Sequence, residues 1–212
     1  MDNLEPFLTL AKNFIDTELL LTAMTFFGCY LIGSISFSII ISHMLVLPDP
    51  RTIGSGNAGA TNVLRTGNKL AAFLTLLGDL LKGFLPVLLV RLYDHDIWVV
   101  SAAMLGIFFG HLYPLYFNFQ GGKGVAATVG ILIGLDYVLG LALAAFWVVI
   151  VAITRYASIG SLLLAIVSPV ATYFWLGKLW AIPVLIISIF QIYKHWVNLY
   201  RLMHGQESKI RF

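Results

Sequence analysis

One cysteine stands in 212 residues, and charge is nearly as scarce: Asp, Glu, Lys and Arg make up 11%, against about 25% in a typical soluble domain. The lone thiol, Cys29, excludes an internal disulfide framework and a thiolate cluster. The shortage of charge, with 59% hydrophobic residues and a mean hydropathy of +0.91, excludes a soluble globular domain. Particular chemistries are missing as well. There is no His-x4-Asp pair, the base-and-orienter motif of acyltransferases that use thioester donors. No Gly-x-Ser-x-Gly nucleophile elbow occurs, and nothing has metal-ligand spacing, so neither a metal nor another cofactor is expected. A cleavable signal peptide is not expected either, because the first 18 residues are acidic and their apolar part is broken by Lys12.

What is present is long apolar runs, near 20–46, 70–91, 97–117, 124–135, 137–154, 159–176 and 179–199. A bilayer core takes about 20 apolar residues per helix. The expectation is an all-α integral membrane protein, one compact bundle of about seven transmembrane helices over residues 1–212. The fourth run is short and glycine-rich, which leaves six as the other count. With the N-terminus outside, the inner segments hold Arg51, Arg65, Lys69, Lys123, Arg155, Lys194, Arg201, Lys209 and Arg211, and the outer ones only Lys12, Arg91 and Lys178. Cationic loops stay in the cytoplasm, so the C-terminus is expected there. Basic residues confined to one membrane face also argue against a nucleic-acid partner. Phe7, Leu10, Ala11, Phe14 and Ile15 follow helical spacing, so residues 1–18 read as an amphipathic helix on the outer surface or as an extension of the first span.

Against this background the segment Gly54-Ser55-Gly56-Asn57-Ala58-Gly59-Ala60-Thr61-Asn62 is conspicuously small and polar. Such a stretch exposes backbone N–H groups with few side chains in the way, which is how a chain cradles an anion. Its Gly-x-Gly-x-x-Gly pattern matches the dinucleotide fingerprint, but that needs a βαβ unit around it. It also has P-loop spacing, with Ala60 in place of the essential lysine. The nucleotide readings therefore fall, and an anion nest remains, with Thr61 and Asn62 available to cap a following helix.

A second glycine loop, Gly121-Gly122-Lys123-Gly124, opens the short fourth run on the same expected face. A lysine between glycines at a helix start suits phosphate. Asp79 and Lys82 lie three apart on one face of the second span; they pair structurally or contact substrate. Ser34, Ser38 and Ser42 form a small polar stripe in the first span, where Ser38 and Ser42 read as packing residues and Ser34 as a hydroxyl facing the site. At the inner end of the last span, Lys194, Asn198 and Arg201 share a helix face, with His195 beside Asn198. Such a cluster can hold a phosphorylated polar substrate.

Taken together, Gly33-Ser34-Ile35, Leu47-Pro48-Asp49-Pro50-Arg51, the run Gly54 to Arg65, Asp79-Leu80-Leu81-Lys82-Gly83, His111 to Pro114, Gly121 to Ala126, and His195 through Asn198 to Arg201 resemble the PlsY family. These are acylphosphate-dependent glycerol-3-phosphate acyltransferases of bacterial membranes. The resemblance runs in order from about residue 28 onward. Local departures are Ser36 for a frequent proline, Ser38 for a frequent glycine, Gln120 for a lysine and Lys194 for an arginine.

The resemblance implies a seven-helix enzyme of the bacterial inner membrane with a cytoplasmic active site. It would join acylphosphate and glycerol 3-phosphate into lysophosphatidate, beside a partner enzyme that forms the acylphosphate. By motif match, Ser34, Arg51, Lys123, His195 and Asn198 would bind or orient glycerol 3-phosphate, and the Gly54–Asn62 loop would hold the donor's phosphoryl group. Acylphosphate is an activated donor, so direct attack by the substrate hydroxyl suffices, with Ser34, His195 or the substrate's phosphate as proton acceptor. Two rivals fit parts of the pattern. A transporter of an anionic phosphorylated solute also has glycine-interrupted helices, but no two similar halves are visible. An acyl-CoA enzyme with His111 as base leaves the long glycine loop without a role.

Overall fold

The computed structural model describes residues 5–93 and 96–210, with side chains from Thr17 onward. The expected surface helix over 1–18 lies largely outside the described side chains; from Glu5 on, its backbone is helical and runs unbroken into the first span. Among the described residues the chain forms ten α-helices: α1 Glu5–Gly33, α2 Phe37–Met44, α3 Ala60–Leu64, α4 Lys69–Tyr93, α5 Ile97–Leu112, α6 Val125–Leu135, α7 Tyr137–Thr154, α8 Ala157–Leu176, α9 Lys178–Lys194 and α10 Trp196–Met203. Among the described residues there is no strand.

Five spans are long and apolar enough to cross a bilayer, the first made of α1 and α2 together, and α9 with α10 makes a sixth if that pair is one span bent by 54°. This is a multi-pass membrane protein. Its exterior is correspondingly apolar, with Phe27, Leu89, Ile153 and Phe174 all exposed, the inverse of a water-soluble surface.

Between apolar helices in lipid, close backbone approach replaces the hydrophobic drive, and glycine supplies it here at two seams. A Cβ on Gly106 or Gly110 of α5 would lie 2.4 or 2.3 Å from the carbonyl oxygen of Phe26 or Tyr30 on α1. On α6, a Cβ on Gly130 would stand 2.1 Å from the Leu80 carbonyl oxygen of α4. Met104, Ile107, Phe108, Leu132, Leu164 and Ile187 fill the centre.

The short α6 explains where the site forms. Asp136 alone joins α6 to α7, and its carboxylate accepts from Leu139 N at 2.9 Å to cap α7. The two helices therefore share an end. With 11 residues against 18, α6 stops about 10 Å short of α7 at the other end. That leaves a recess at the end of the bundle where α1, α5, α7 and α9 finish and α4, α6 and α8 begin. The segments between helices close over it.

Candidate active site

Two adjoining cavities occupy this recess. The larger, about 250 Å³, runs from Asn57, Lys123 and Asn198 to an apolar wall of Leu76, Ala144 and Trp147. The smaller, about 170 Å³, is bounded by Gly56, Gly121, Gly122, Lys194 and Arg201. Ser55, Asn57, Lys123 and Asn198 line both, so the polar groups stand at the junction.

The first glycine loop is built around Asn62. Its side-chain oxygen accepts from Ser55 N at 3.1 Å, and its amide nitrogen donates to Pro50 O at 2.6 Å and Ile53 O at 3.0 Å. Gly54 and Gly56 take φ of +55° and +70°, the left-handed region that glycine enters without penalty. The expectation of Thr61 and Asn62 as helix caps is corrected. The chain enters α3 earlier, at Gly59, whose carbonyl receives Asn62 N and Val63 N at 3.0 and 3.1 Å. Asn62 is consequently inside the helix, 2% exposed, where it staples the loop from behind. Ser55, Asn57, Gly59 and Thr61 still line the larger cavity.

Arg51 is held by its neighbour. Its guanidinium meets Asp49 at 2.7 Å, with Nε within 3.1 Å of both carboxylate oxygens. These bonds hold the Asp49 carboxyl below its ordinary range and push Arg51 up. Arg51 borders neither cavity.

The second loop carries the central cation. Lys123 Nζ donates to Asn198 Oδ1, and Asn198 Nδ2 donates to Glu207 Oε1 at 2.7 Å. Burial pushes the lysine down to about 8, partly offset by the Glu207 carboxylate. Arg201 and Lys194 also line the smaller cavity, with Lys194 Nζ 4.3 Å from the Tyr113 ring centroid. His195 sits at the α9–α10 bend, 3% exposed. Its Nδ1 donates to Gln191 O at 2.8 Å, since a carbonyl only accepts, which leaves Nε2 as an acceptor.

Of the residues singled out in the sequence, the structure therefore brings together both glycine loops, Lys123, His195, Asn198, Arg201 and Asp79. It does not bring in Ser34, which is fully buried, with its hydroxyl donating back to Tyr30 O at 2.8 Å. Lys82 borders neither cavity.

Three site residues escaped sequence reasoning. Glu207 sits on a tail that returns over the recess, with Ile210 N donating to Arg155 O at 2.7 Å and Lys209 Nζ 5.5 Å from the Tyr156 ring centroid. One signal was available: Glu207 is the only acidic residue after Asp136. Ser158, at the start of α8, turns a buried hydroxyl without a partner toward the larger cavity. His111, noted above within a family motif and as the base of a rival reading but given no place in the expected site, lines the same cavity. Among the described residues no three His, Cys, Asp or Glu side chains come together to hold a metal ion.

A half-buried cation and two glycine loops at the mouth of an apolar cavity suit a molecule with a phosphate at one end and a hydrocarbon chain at the other. Known proteins point the same way. The family model for glycerol-3-phosphate acyltransferase matches residues 23–205. The glycerol-3-phosphate acyltransferase of Coxiella burnetii is 48% identical over 184 residues, covering 86% of this chain and 94% of that protein. That of Nitrosomonas eutropha is 45% identical over 196 residues, covering 90% and 98%. The crystal structure of PlsY, an integral membrane glycerol 3-phosphate acyltransferase in its glycerol 3-phosphate form, is similar with a TM-score of 0.83 at 34% identity, covering 90% of this chain and 96% of that one. The fold, the recess and relatives nearly half identical over almost their whole length agree: this chain belongs to the glycerol-3-phosphate acyltransferase family.

Proposed function

We propose that this chain moves a fatty acyl group from acylphosphate to the 1-hydroxyl of sn-glycerol 3-phosphate, giving 1-acylglycerol 3-phosphate (lysophosphatidate) and phosphate, the first acylation of phospholipid synthesis. The carrying observation is the junction: a polar pocket around Lys123 and Asn198 opens directly into an apolar cavity. Leu76 of α4 and Val148 of α7 line that cavity yet are 41% and 57% exposed on the outer surface of the bundle. An acyl chain can lie there with its tail toward lipid and its carboxyl end at the junction.

In this reading the Gly54–Asn62 loop offers backbone N–H groups, Ser55 and Asn57 to the donor's phosphoryl oxygens. Lys123, Asn198 and Arg201 hold glycerol 3-phosphate, with Gly121 and Gly122 admitting it close to the backbone and His195 orienting it. The hydroxyl oxygen attacks the acyl carbon, the bond from that carbon to the phosphate oxygen breaks, and the hydroxyl proton ends on the leaving phosphate. Since phosphate is already a good leaving group, no covalent enzyme intermediate is needed. The protein supplies positioning and charge stabilisation. Two phosphates share the junction, so the half-buried Lys123 is the group with the most to contribute.

The same reading places seven helices in the bacterial inner membrane, the N-terminus outside and the recess facing the cytoplasm, where cationic loops belong. A separate enzyme must make the acylphosphate. The test is purified protein in lipid with acylphosphate and glycerol 3-phosphate, without added metal. Lysophosphatidate and phosphate should appear in equal amounts, and Lys123→Ala should lower kcat/KM by at least about 10²-fold. Equal turnover of acyl-CoA, or none of acylphosphate, would overturn the donor assignment.

A further inference from the structure

Three titratable side chains with no part in the transfer described above are buried together beneath the recess: Asp79 and Lys82 on α4 and His111 at the end of α5, each 7% exposed or less. A buried ion pair is no stability device in itself, because desolvating the charges offsets their attraction. What these three touch is more telling.

Lys82 Nζ donates to Ile35 O at 2.6 Å and meets Asp79 Oδ1 at 2.9 Å. Ile35 lies in the break between α1 and α2, next to Ser34, where carbonyls lose their helical partners. In a dry interior such a carbonyl needs a donor. The same Asp79 oxygen faces His111 Nδ1 at 3.6 Å. On its other side the imidazole is a platform for the second glycine loop. A Cβ on Gly122 would lie 2.2 Å from His111 Nε2 and 2.7 Å from Ala58 O, while Gly122 N donates to His111 O at 3.1 Å. Successive contacts thus run from the break at Ile35 through Lys82, Asp79 and His111 to Gly122, the residue before Lys123, with the first glycine loop touching the same point through Ala58.

We propose that Asp79, Lys82 and His111 are positioning residues, a buried charged bridge that fixes the Gly121–Lys123 loop against the α1–α2 break and so sets where Lys123 meets glycerol 3-phosphate. This rests on the reading that Lys123 and its loop hold that substrate. Lys82 then works through the backbone rather than on substrate. Apolar packing could stabilise the bundle here, but it could not reach a carbonyl on one side and present a flat ring to a glycine on the other.

The test compares kcat and KM for glycerol 3-phosphate with the thermal unfolding midpoint, in wild type and two variants. His111→Gln removes the platform and leaves the ion pair. The double variant Asp79→Asn, Lys82→Met removes both charges at once, so that neither is stranded. In folded protein both should raise KM for glycerol 3-phosphate by about tenfold or more while kcat stays within about threefold. A wild-type KM in either folded variant overturns the proposal, as does a fall in kcat at unchanged KM, which would make His111 a catalytic residue. If neither variant folds, the three residues hold the bundle rather than the loop, and the proposal fails too. Wild type that does not acylate glycerol 3-phosphate would defeat the functional reading instead, an outcome distinguishable from these.

Discussion

The two glycine loops at the recess use the same residue for different physics. In Gly54–Asn62 the glycines supply backbone conformation: Gly54 and Gly56 are left-handed, and the loop is tied from within by Asn62. In Gly121–Gly124 the first two glycines supply proximity. A Cβ on Gly121 would stand 2.1 Å from His111 O and one on Gly122 2.2 Å from His111 Nε2. The first loop therefore carries its own shape, whereas the second borrows its shape from α5 and the first loop. Only the second contributes a charged side chain, and its place depends on what lies beneath it.

Substituting alanine into each loop gives the largest contrast. Gly122→Ala must push the loop off both His111 and the Ala58 carbonyl, displacing Lys123; a shift of about 1 Å in a positioned group is enough for ~10²-fold in kcat/KM. Gly56→Ala meets only Arg51 O at 3.6 Å, ordinary contact, so its cost is the left-handed φ, about 1–2 kcal/mol, mostly in loop order. Steady-state kinetics on both variants check this. Equal losses would erase the distinction between the loops.

Asn62→Leu sharpens the other side of the comparison. It strands Pro50 O and Ser55 N without partners and leaves Ile53 O only its bond from Gly56 N at 2.9 Å, at about 1–3 kcal/mol for each stranded polar group. Faster amide exchange should be confined to residues 50–57, with Gly121–Gly124 unchanged. Acceleration spreading into the second loop would mean that the first does not hold itself.

How much of this was legible beforehand follows the same division. The apolar runs stand out because lipid demands length and greasiness, and the short α6 stands out because its run is cut by glycines. The convergence of Lys123, Asn198 and Arg201 followed from counting spans, since each lies at the end of one. Side-chain direction was not legible. Ser34 looked available because it follows Gly33, yet it lies where a hydroxyl bonds back to the preceding turn. Asn62 looked like a cap because nothing in the sequence says which residue starts α3. Glu207 belongs to a tail whose contacts, Asn198 and the Arg155 carbonyl, are set by the fold.

That tail gives the smallest effect expected. In the free protein, burial lowers Lys123 to about 8 from its ordinary 10.5, and the Glu207 carboxylate opposes the shift. A depressed lysine is charged below its pKa and neutral above it. Glycerol 3-phosphate affinity should therefore be flat below pH 8 and then fall, by up to about tenfold per pH unit for loss of one required charge. Removing the nearby negative charge lets the lysine lose its proton more easily, so Glu207→Gln moves the break downward. The amide can still accept from Asn198, which keeps the tail in place and isolates the charge. Binding titrations from pH 6.5 to 9.5 (roughly bracketing the lysine) read the break directly. A break that moves upward or stays fixed would show that the carboxylate acts on the tail's position and not on Lys123, so the second loop's cation would owe nothing to the chain's end.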